Sequence, residues 1–274
     1  MRLVLLAFLI GLAGAAGAER PARVVSMNLC TDQLALMVAE PGQMISVSDW
    51  GARPNASNLP EQAAALPLNH GSAEQIFLMR PDLVLAGTFT SQASIAMLRR
   101  LGIRVEVFGA AQSFAEVSAH IHRIGGLLGR EEAADALDRE FQNGLSALAD
   151  RIAAHPRSRA AYHYPNNYTS GAGTLAHEVL DRAGLDNVAA SELGLTATAV
   201  LGLEQLVMLD PFLIRTETLS GATEGRAYEG AAHPALAALI ARGGGTTIPE
   251  RWQVCGTPFL LRAVAALIDA RFAE

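Results

Sequence analysis

Aromatic and amide side chains recur in this 274-residue chain just after runs of aliphatic and β-branched residues. Aromatic rings offer flat, partly polar faces, and amides hydrogen-bond without charge, so together they suit a large organic ligand. With two threonines and one arginine of the same loops, the predicted ligand-binding residues are Asn28, Thr31, Trp50, Phe89, Thr90, Tyr164, Asn166, Asn167, Tyr168, Arg215 and Trp252. For any single aromatic residue among them, packing against its own part of the fold is an equally good interpretation.

A second candidate for chemistry is the glycine motif at residues 171–176, which reads Gly-Ala-Gly-Thr-Leu-Ala. It matches the dinucleotide fingerprint, in which backbone amides at a helix N-terminus bind phosphate, and it leaves an NAD-dependent oxidoreductase as one alternative function. The fingerprint requires its first glycine directly after a strand, and residues 166–170 intervene here. We therefore interpret the motif as a loop followed by a helix.

The histidines raise a third possibility, a receptor for bare zinc or manganese, which needs three or four His and carboxylate ligands. His120 and His122 are two positions apart on a predicted helix and therefore point to different faces. His70 and His163 lie near strand ends, where a solvated or hydrogen-bonded histidine is the commoner outcome. We keep the metal-ion receptor as an alternative and predict no resident metal or other cofactor.

No grouping of Ser, His and Asp stands out, so we predict no enzyme activity.

Two similar segments, 130 positions apart, determine the predicted architecture. Residues 73–84 read AEQIFLMRPDLV, and residues 203–214 read LEQLVMLDPFLI. Each predicts a short helix that begins near a glutamate, ends at a proline and is followed by a buried strand. A long-range repeat of this kind predicts two similar α/β lobes.

Predicted strands and helices alternate along both halves, which indicates βαβ units and largely parallel sheets. The predicted strands are at residues 23–27, 44–47, 83–86 and 103–108, and a second series begins at 159–164. Thr31 or Asp32 is expected to cap the first helix. The predicted organisation is a signal peptide (1–18), an N-terminal lobe (19–128), a charged amphipathic bridging helix (129–155) and a C-terminal lobe (156–274).

The N-terminus and the composition indicate an exported protein. Arg2 precedes an apolar run at residues 3–12 that is too short to span a bilayer, and residues 16–18 are small enough for cleavage. We expect a soluble, monomeric protein in a Gram-negative periplasm. The net charge is −6 and no basic run is present, which argues against a nucleic-acid partner.

The order of these features resembles that of the helical-backbone periplasmic binding proteins, the ferric-siderophore and vitamin B12 receptors of ABC importers. The resemblance covers residues 22–270. Besides the signal peptide and the bridging helix, it rests on four segments of the sequence. They are the Asn-Leu-Cys-Thr loop at 28–31, the Arg-Pro-Asp-Leu-Val-Leu-Ala-Gly strand at 80–87, the second of the two similar segments at 203–214, and residues 252–258. It implies a class III binding-protein fold, in which two βαβ lobes joined by one long α-helix close over an iron chelate or a corrinoid such as cobalamin. Such a receptor then docks on an inner-membrane permease dimer.

The resemblance also implies a role for the repeated glutamates. In that family one glutamate per lobe docks into arginine pockets on the two permease subunits, and Glu74 and Glu204 occupy the matching positions. We expect both to dock on the permease. The alternative is a purely structural charge, since a carboxylate at the start of a helix is favoured by the free backbone amides.

Two further expectations concern the cleft between the lobes. Cys30 and Cys255, the two cysteines of the chain, lie in loops at the cleft ends of their lobes, so an oxidising compartment favours a disulfide over two separate buried thiols. The second expectation concerns charge: an anionic chelate would need two or more cleft-facing arginines, whereas an aromatic wall with few charges would suit a corrinoid. The candidate arginines are Arg53, Arg215, Arg226 and Arg251.

Overall fold

The structure is a computed structural model that describes residues 20–217, 219 and 233–272. The predicted signal peptide (residues 1–18) and Arg226 lie outside the described residues. Within those residues, no helix combines the length and the apolar character needed to cross a membrane.

Five parallel strands form the sheet of the N-terminal lobe, in the spatial order β3-β2-β1-β4-β5. They are β1 (Val24–Ser26), β2 (Met44–Ser48), β3 (Leu68–Asn69), β4 (Leu83–Gly87) and β5 (Val105–Phe108). The interior strand β4, which lies between β1 and β5, is buried along its whole length, because helices cover both faces of a parallel sheet. The four predicted strands of this lobe are confirmed, and the two-residue β3 is an addition.

The helices of this lobe are α1 (Leu29–Val38), α2 (Pro60–Ala64), α3 (Ala73–Leu78), α4 (Gln92–Arg100) and α5 (Phe114–Leu128). The expected cap of α1 is wrong, since Asn28 caps it: the Asn28 Oδ1 accepts a hydrogen bond from the Cys30 backbone N–H at 3.0 Å. Thr31 and Asp32 lie inside the first turn of α1 and are buried there. The Thr31 hydroxyl bonds to Ser26 of β1 and to the carbonyl of Asn28, and the Asp32 carboxylate accepts from Ser48 of β2, so neither side chain accepts from the free backbone N–H groups of α1.

One long helix, α6 (Glu131–Ile152), connects the two lobes and confirms the predicted bridge. It begins two residues later than expected because Gly129 ends α5 in the left-handed region, at φ 64°. Phe141 and Leu145 point into the core, while the first turn of α6 is acidic and exposed. This amphipathic pattern is typical of a helix that covers a core with one face.

A second parallel sheet forms the C-terminal lobe, with β6 (Ser158–Tyr162), β8 (Leu185–Asn187), β10 (Phe212–Glu217) and β11 (Gly245–Pro249) in the order β11-β10-β6-β8. A short antiparallel pair, β7 (Tyr168–Thr169) and β9 (Ala199–Val200), lies beside it. The helices are α7 (Leu175–Arg182), α8 (Val188–Ser191), α9 (Leu203–Leu209), α10 (Pro234–Gly243) and α11 (Leu260–Phe272). The two-lobed α/β fold class is therefore confirmed.

The sequence repeat is also a structural repeat. In each lobe a short helix, α3 or α9, precedes a buried strand, β4 or β10. Arg80, which follows the C-cap Met79 of α3, and Asp210, the C-cap of α9, both have left-handed backbones, at φ 49° and 45°. A proline follows each of them, and proline cannot continue a helix interior.

The core is continuous between the lobes. One cluster of buried side chains includes Val24 of β1, Phe141 of α6 and Ile214 of β10. The lobes are therefore joined by packed apolar side chains as well as by the chain itself. The lobe boundaries at residues 128 and 156 stay predictions.

Candidate functional site

Loops at the carboxyl ends of the N-terminal strands surround a cavity of about 270 Å³, which we call the first cavity. This edge of a parallel sheet is where ligands bind in open α/β folds. The loops after β1, β4 and β5, together with α1, α5 and the loop before α11, provide its walls. The lining residues are Asn28, Leu29, Cys30, Thr31, Leu34, Gly87, Thr88, Phe89, Phe108, Gly109, Ala110, Ala111, His120, Val254 and Gly256.

Asn28 and Gly87 meet closely in this wall. A Cβ atom on Gly87 would lie 2.7 Å from Asn28 Nδ2, which is closer than real Cβ contacts allow. Glycine is therefore required at residue 87 for β4 to approach the amide that caps α1. The arrangement keeps the Asn28 amide at the cavity wall and limits its movement.

Phe89, Phe108 and His120 provide the ring systems of the first cavity. The Phe89 side chain is 89% exposed, so its ring has almost no contact with the rest of the protein. The His120 ring packs edge-on against Phe108, with 5.5 Å between centroids. Burial lowers the pKa of His120 below its usual value, so the imidazole is neutral at pH 7.

The C-terminal lobe contributes a second cavity of about 330 Å³. Its lining residues are Tyr164, Pro165, Tyr168, Ser170, Ala176, Thr198, Glu250, Gln253 and Val254. Because Val254 lines both cavities, the two adjoin, and we call their combined space the cleft.

Tyr164 is held firmly in the second cavity. Its ring stacks on Tyr162 with 5.3 Å between centroids and 9° between planes, and the Ser170 hydroxyl donates to its Oη at 3.2 Å. Burial raises the pKa of the Tyr164 hydroxyl well above its usual value, so it stays neutral. Burial also raises the pKa of the Glu250 carboxyl above its usual value.

The structure brings five of the predicted ligand-binding residues into the cleft walls: Asn28, Thr31, Phe89, Tyr164 and Tyr168. The other six lie outside the two cavities: Trp50, Thr90, Asn166, Asn167, Arg215 and Trp252. Whether any of the eleven contacts ligand stays a prediction.

Local contacts account for the first two of these outlying residues. The Arg53 guanidinium covers the Trp50 ring at 4.0 Å. The Thr90 hydroxyl accepts a hydrogen bond from the Gly87 backbone N–H at 3.0 Å and so stabilises the turn after β4.

The remaining four lie in the C-terminal lobe. Asn166 and Asn167 have left-handed backbones, and Asn167 Oδ1 lies 3.0 Å from Nε2 of the buried His163. Trp252 packs against the core cluster, and Arg215 is half-buried on β10.

Sequence reasoning missed the wall formed by residues 109–111, His120 and Val254. Residues 109–111 directly follow β5, so the rule that ligands bind beyond the carboxyl ends of strands could have identified them. His120 was considered only as a metal ligand. Val254 lies in the segment after β11, which the same rule identifies as a candidate loop, and its side chain lines both cavities.

The glycine motif has a packing role in the structure. The backbone N–H groups of Gly171, Ala172 and Gly173 donate to the carbonyls of residues 197, 195 and 196, at 2.7–3.1 Å. A Cβ on Gly171 would lie 2.4 Å from the Leu195 carbonyl oxygen, so the two segments touch. Because these amides are already bonded, they are not free to bind a phosphate as the dinucleotide interpretation requires.

The two cysteines meet at the edge of the first cavity. Their sulfur atoms lie 2.09 Å apart and their Cα atoms 5.1 Å apart, which places Cys30 and Cys255 at disulfide distance as expected. A hydrogen bond from Asn58 Nδ2, in the loop before α2, to the Arg251 carbonyl, at 2.6 Å, also connects the N-terminal lobe to the chain segment just before Cys255. Within residues 20–217, 219 and 233–272, no three His, Cys, Asp or Glu side chains are grouped closely enough to hold a metal ion.

The fold and the cleft together define a two-lobed α/β binding protein. Residues 24–241 match the family model for periplasmic binding proteins. The chain is 30% identical over 201 residues to a cobalamin-binding protein of Halobacterium salinarum, an alignment that covers 72% of this chain and 54% of that protein. The chain belongs to the periplasmic binding protein family, and it spans about half the length of that relative.

Solved structures show the same fold. A periplasmic heme-binding protein of Pseudomonas aeruginosa superposes with a TM-score of 0.75 at 23% identity, covering 93% of this chain and 94% of that chain. A periplasmic vitamin B12 binding protein of Vibrio cholerae superposes with a TM-score of 0.70 at 19% identity, covering 92% and 96%.

Proposed function

We propose that this protein is the periplasmic receptor of an ABC importer and that it captures a corrinoid in the cleft. One observation carries the choice of ligand: the cleft walls are aromatic, aliphatic and mostly uncharged, and among the residues that the structure describes no arginine lines either of the two cavities. An anionic chelate would leave its charge without a partner there, at a high desolvation cost. A large ligand with a conjugated ring and amide groups at its edge matches these walls better.

The candidate arginines support the same conclusion. Arg53 covers the Trp50 ring and forms an ion pair with Asp49. Arg215 and Arg251 do not contribute to either cavity wall. The similarity to a cobalamin-binding protein adds support from an independent source.

Thermal unfolding of the exported protein, starting at residue 19, tests the proposal. The panel consists of cyanocobalamin, hemin, ferric hydroxamate, catecholate and carboxylate siderophores, zinc and manganese. A ligand at a hundred times its dissociation constant stabilises the native state by about 2.7 kcal/mol, which raises the Tm by roughly 5–10 °C in a protein of this size. We expect that shift with cyanocobalamin. A Tm shift with hemin or a siderophore alone would make that compound the proposed ligand in place of a corrinoid. A Tm shift with zinc or manganese alone would instead indicate a receptor for bare metal ions.

Phe89→Ala tests the site. Because the ring is 89% exposed, its loss should leave the Tm of the free protein unchanged while cyanocobalamin binds at least tenfold more weakly. Met97→Ala, which removes a 42% exposed apolar side chain from α4 outside both cavities, is the matched control. Equal cyanocobalamin affinity for wild type and Phe89→Ala would contradict the proposed site.

We also propose that Glu74 and Glu204 dock the loaded protein on a two-fold permease. Both are exposed in the first turn of matching helices, α3 and α9. The Ser72 hydroxyl donates to Glu74 Oε2 at 2.8 Å, and bonds from this hydroxyl and from the Glu74 backbone N–H lower the pKa of Glu74. An exposed carboxylate in the same place on each lobe suits a partner with two equivalent cationic sites.

Uptake of labelled cyanocobalamin tests the docking proposal. Glu74→Ala with Glu204→Ala should abolish uptake at normal ligand affinity and normal periplasmic level. Glu131→Ala with Glu132→Ala is the matched control, since these two exposed glutamates also occupy a first helical turn, in α6. Wild-type uptake by the Glu74 and Glu204 variant would reject the proposal and leave only a helix-terminus role of up to about 1 kcal/mol for each carboxylate.

A further inference from the structure

An exposed apolar side chain follows each repeated glutamate by four positions. Leu78 is 78% exposed at the end of α3, and Met208 is 85% exposed near the end of α9. Residues four apart lie on the same face of a helix, so each lobe presents a carboxylate and an apolar side chain side by side. We call each such combination, Glu74 with Leu78 and Glu204 with Met208, an acid–apolar pair.

The two pairs are equivalent in structure as well as in sequence. Ile76 and Leu206, two positions after each glutamate, are both fully buried. The left-handed residues Arg80, just after the C-cap of α3, and Asp210, the C-cap of α9, then follow each glutamate by the same six positions. In both lobes the repeat therefore buries one apolar residue, Ile76 or Leu206, in the core. In both lobes it also exposes a long apolar side chain, Leu78 or Met208, to solvent.

Folding does not account for the exposed members. A leucine or methionine that is about four-fifths exposed contributes little to the core, whereas a polar residue there would be equally compatible with the helix. A single exposed apolar residue is ordinary on a protein surface. Two at matched positions, each beside a matched carboxylate, indicate a shared partner.

We propose that Leu78 and Met208 are apolar contact residues for the permease, each filling a recess next to the cation that binds the neighbouring glutamate. The inference rests on the proposed importer function and adds the apolar half of the docking surface. It requires a partner with two equivalent sites, each with a basic group beside an apolar recess. A second copy of this protein is a poorer partner, because pairing the same surfaces would bring carboxylates together.

The two halves of each pair should respond differently to salt. An ion pair at an accessible surface is screened, with a Debye length of about 8 Å at 0.15 M salt and about 3 Å at 1 M. Burial of an apolar side chain is not screened in this way. Glutamate contacts should therefore weaken as salt is raised, while the contribution of Leu78 and Met208 persists.

The inference is tested by measuring the binding of this protein to the ABC permease that supports uptake with it. The permease is reconstituted in nanodiscs, and neither a corrinoid nor an iron chelate is present. Leu78→Gln and Met208→Gln should each weaken binding about tenfold, since a largely exposed apolar side chain that becomes buried contributes on that order. The conservative exchanges Leu78→Met and Met208→Leu should bind normally. Ala147→Gln with Ala149→Gln, on the exposed face of α6, is the control.

Three results would overturn the inference. The first is wild-type affinity of both glutamine variants for the permease, and the second is a loss that disappears at 1 M salt. The third is a concentration-dependent dimer in sedimentation that Leu78→Gln abolishes, because a second copy would then be the partner. Normal cyanocobalamin binding and an unchanged Tm establish that each variant is folded. Failure of the wild type itself to bind the permease would instead refute the proposed function.

Discussion

Replacing the buried Asp32 by asparagine should remove a large pH dependence from the stability of this protein. Asp32 is inaccessible to solvent and accepts hydrogen bonds from the backbone N–H of Ser48, at 3.1 Å, and from the Ser48 hydroxyl. Burial raises the pKa of Asp32 to about 7, although bonds from Ser26 and Ser48 oppose the rise. The nearby charge of Asp49 adds to it.

The size of the effect follows from the difference between folded and unfolded pKa values. In the unfolded chain the Asp32 carboxyl titrates near 3.8, whereas in the folded protein it titrates near 7. Between these values the folded state holds a proton that the unfolded state has released, so the free energy of unfolding falls as pH rises and levels off above pH 7. Three pKa units correspond to about 4 kcal/mol.

Urea unfolding of wild type and Asp32→Asn between pH 4 and pH 8 measures this difference. Asparagine can accept from the Ser48 N–H and donate to the Ser48 hydroxyl, but it carries no charge. The stability of the variant relative to wild type should therefore rise by about 4 kcal/mol from pH 4 to pH 8, or roughly 10 °C in Tm. Asp150→Asn, at an exposed carboxylate on α6, is the control. A relative stability of Asp32→Asn that does not change with pH would refute the reasoning.

Three further predictions concern the cleft and its support. Alkylation of the non-reduced exported protein should add no mass, and Cys30→Ser with Cys255→Ser should lose up to about 5 kcal/mol of stability because the closed loop is long. Gly87→Ala should weaken cyanocobalamin binding in calorimetry, since its Cβ displaces the amide that caps α1, and should cost about 1–3 kcal/mol. Tyr162→Phe removes the hydroxyl that donates to Gln253 Oε1 at 2.7 Å, and urea unfolding should show a loss of about 1–3 kcal/mol.

Each of these predictions has a result that would contradict it. Two alkyl groups added without reductant would exclude the disulfide. Unchanged cyanocobalamin affinity and unchanged stability in Gly87→Ala would show that the wall adapts without cost. Unchanged stability in Tyr162→Phe would mean that Gln253 finds another donor.

The architecture could be predicted because its signals are local. The segments at 73–84 and 203–214 each hold a helix, a proline and a buried strand, and the order of these residue types is sufficient to identify two α/β lobes. The bridging helix was identified by its amphipathic period, and its start was misplaced by two residues because Gly129 belongs to the end of α5. Boundaries depend on backbone geometry at single residues, which composition does not report.

The cleft could be predicted only in part. The rule for parallel sheets identified the right edge of both lobes, and five of the eleven predicted residues line the cavities there. The rule does not say which side chains of a loop face the space between the lobes. Trp50 and Trp252 have suitable chemistry and pack elsewhere, because an arginine covers one and the core holds the other.

The sequence by itself therefore determined the two lobes, the long helix between them and the edge of each sheet where the cavities lie, because helical period, proline and β-branched runs act over a few residues. Only the tertiary structure decided that Val254 joins the two cavities, that His120 lines the first, and that Leu78 and Met208 stay in solvent on matching helices. These relations depend on packing between residues far apart in the chain, and close packing of many side chains at once is not encoded in any single segment.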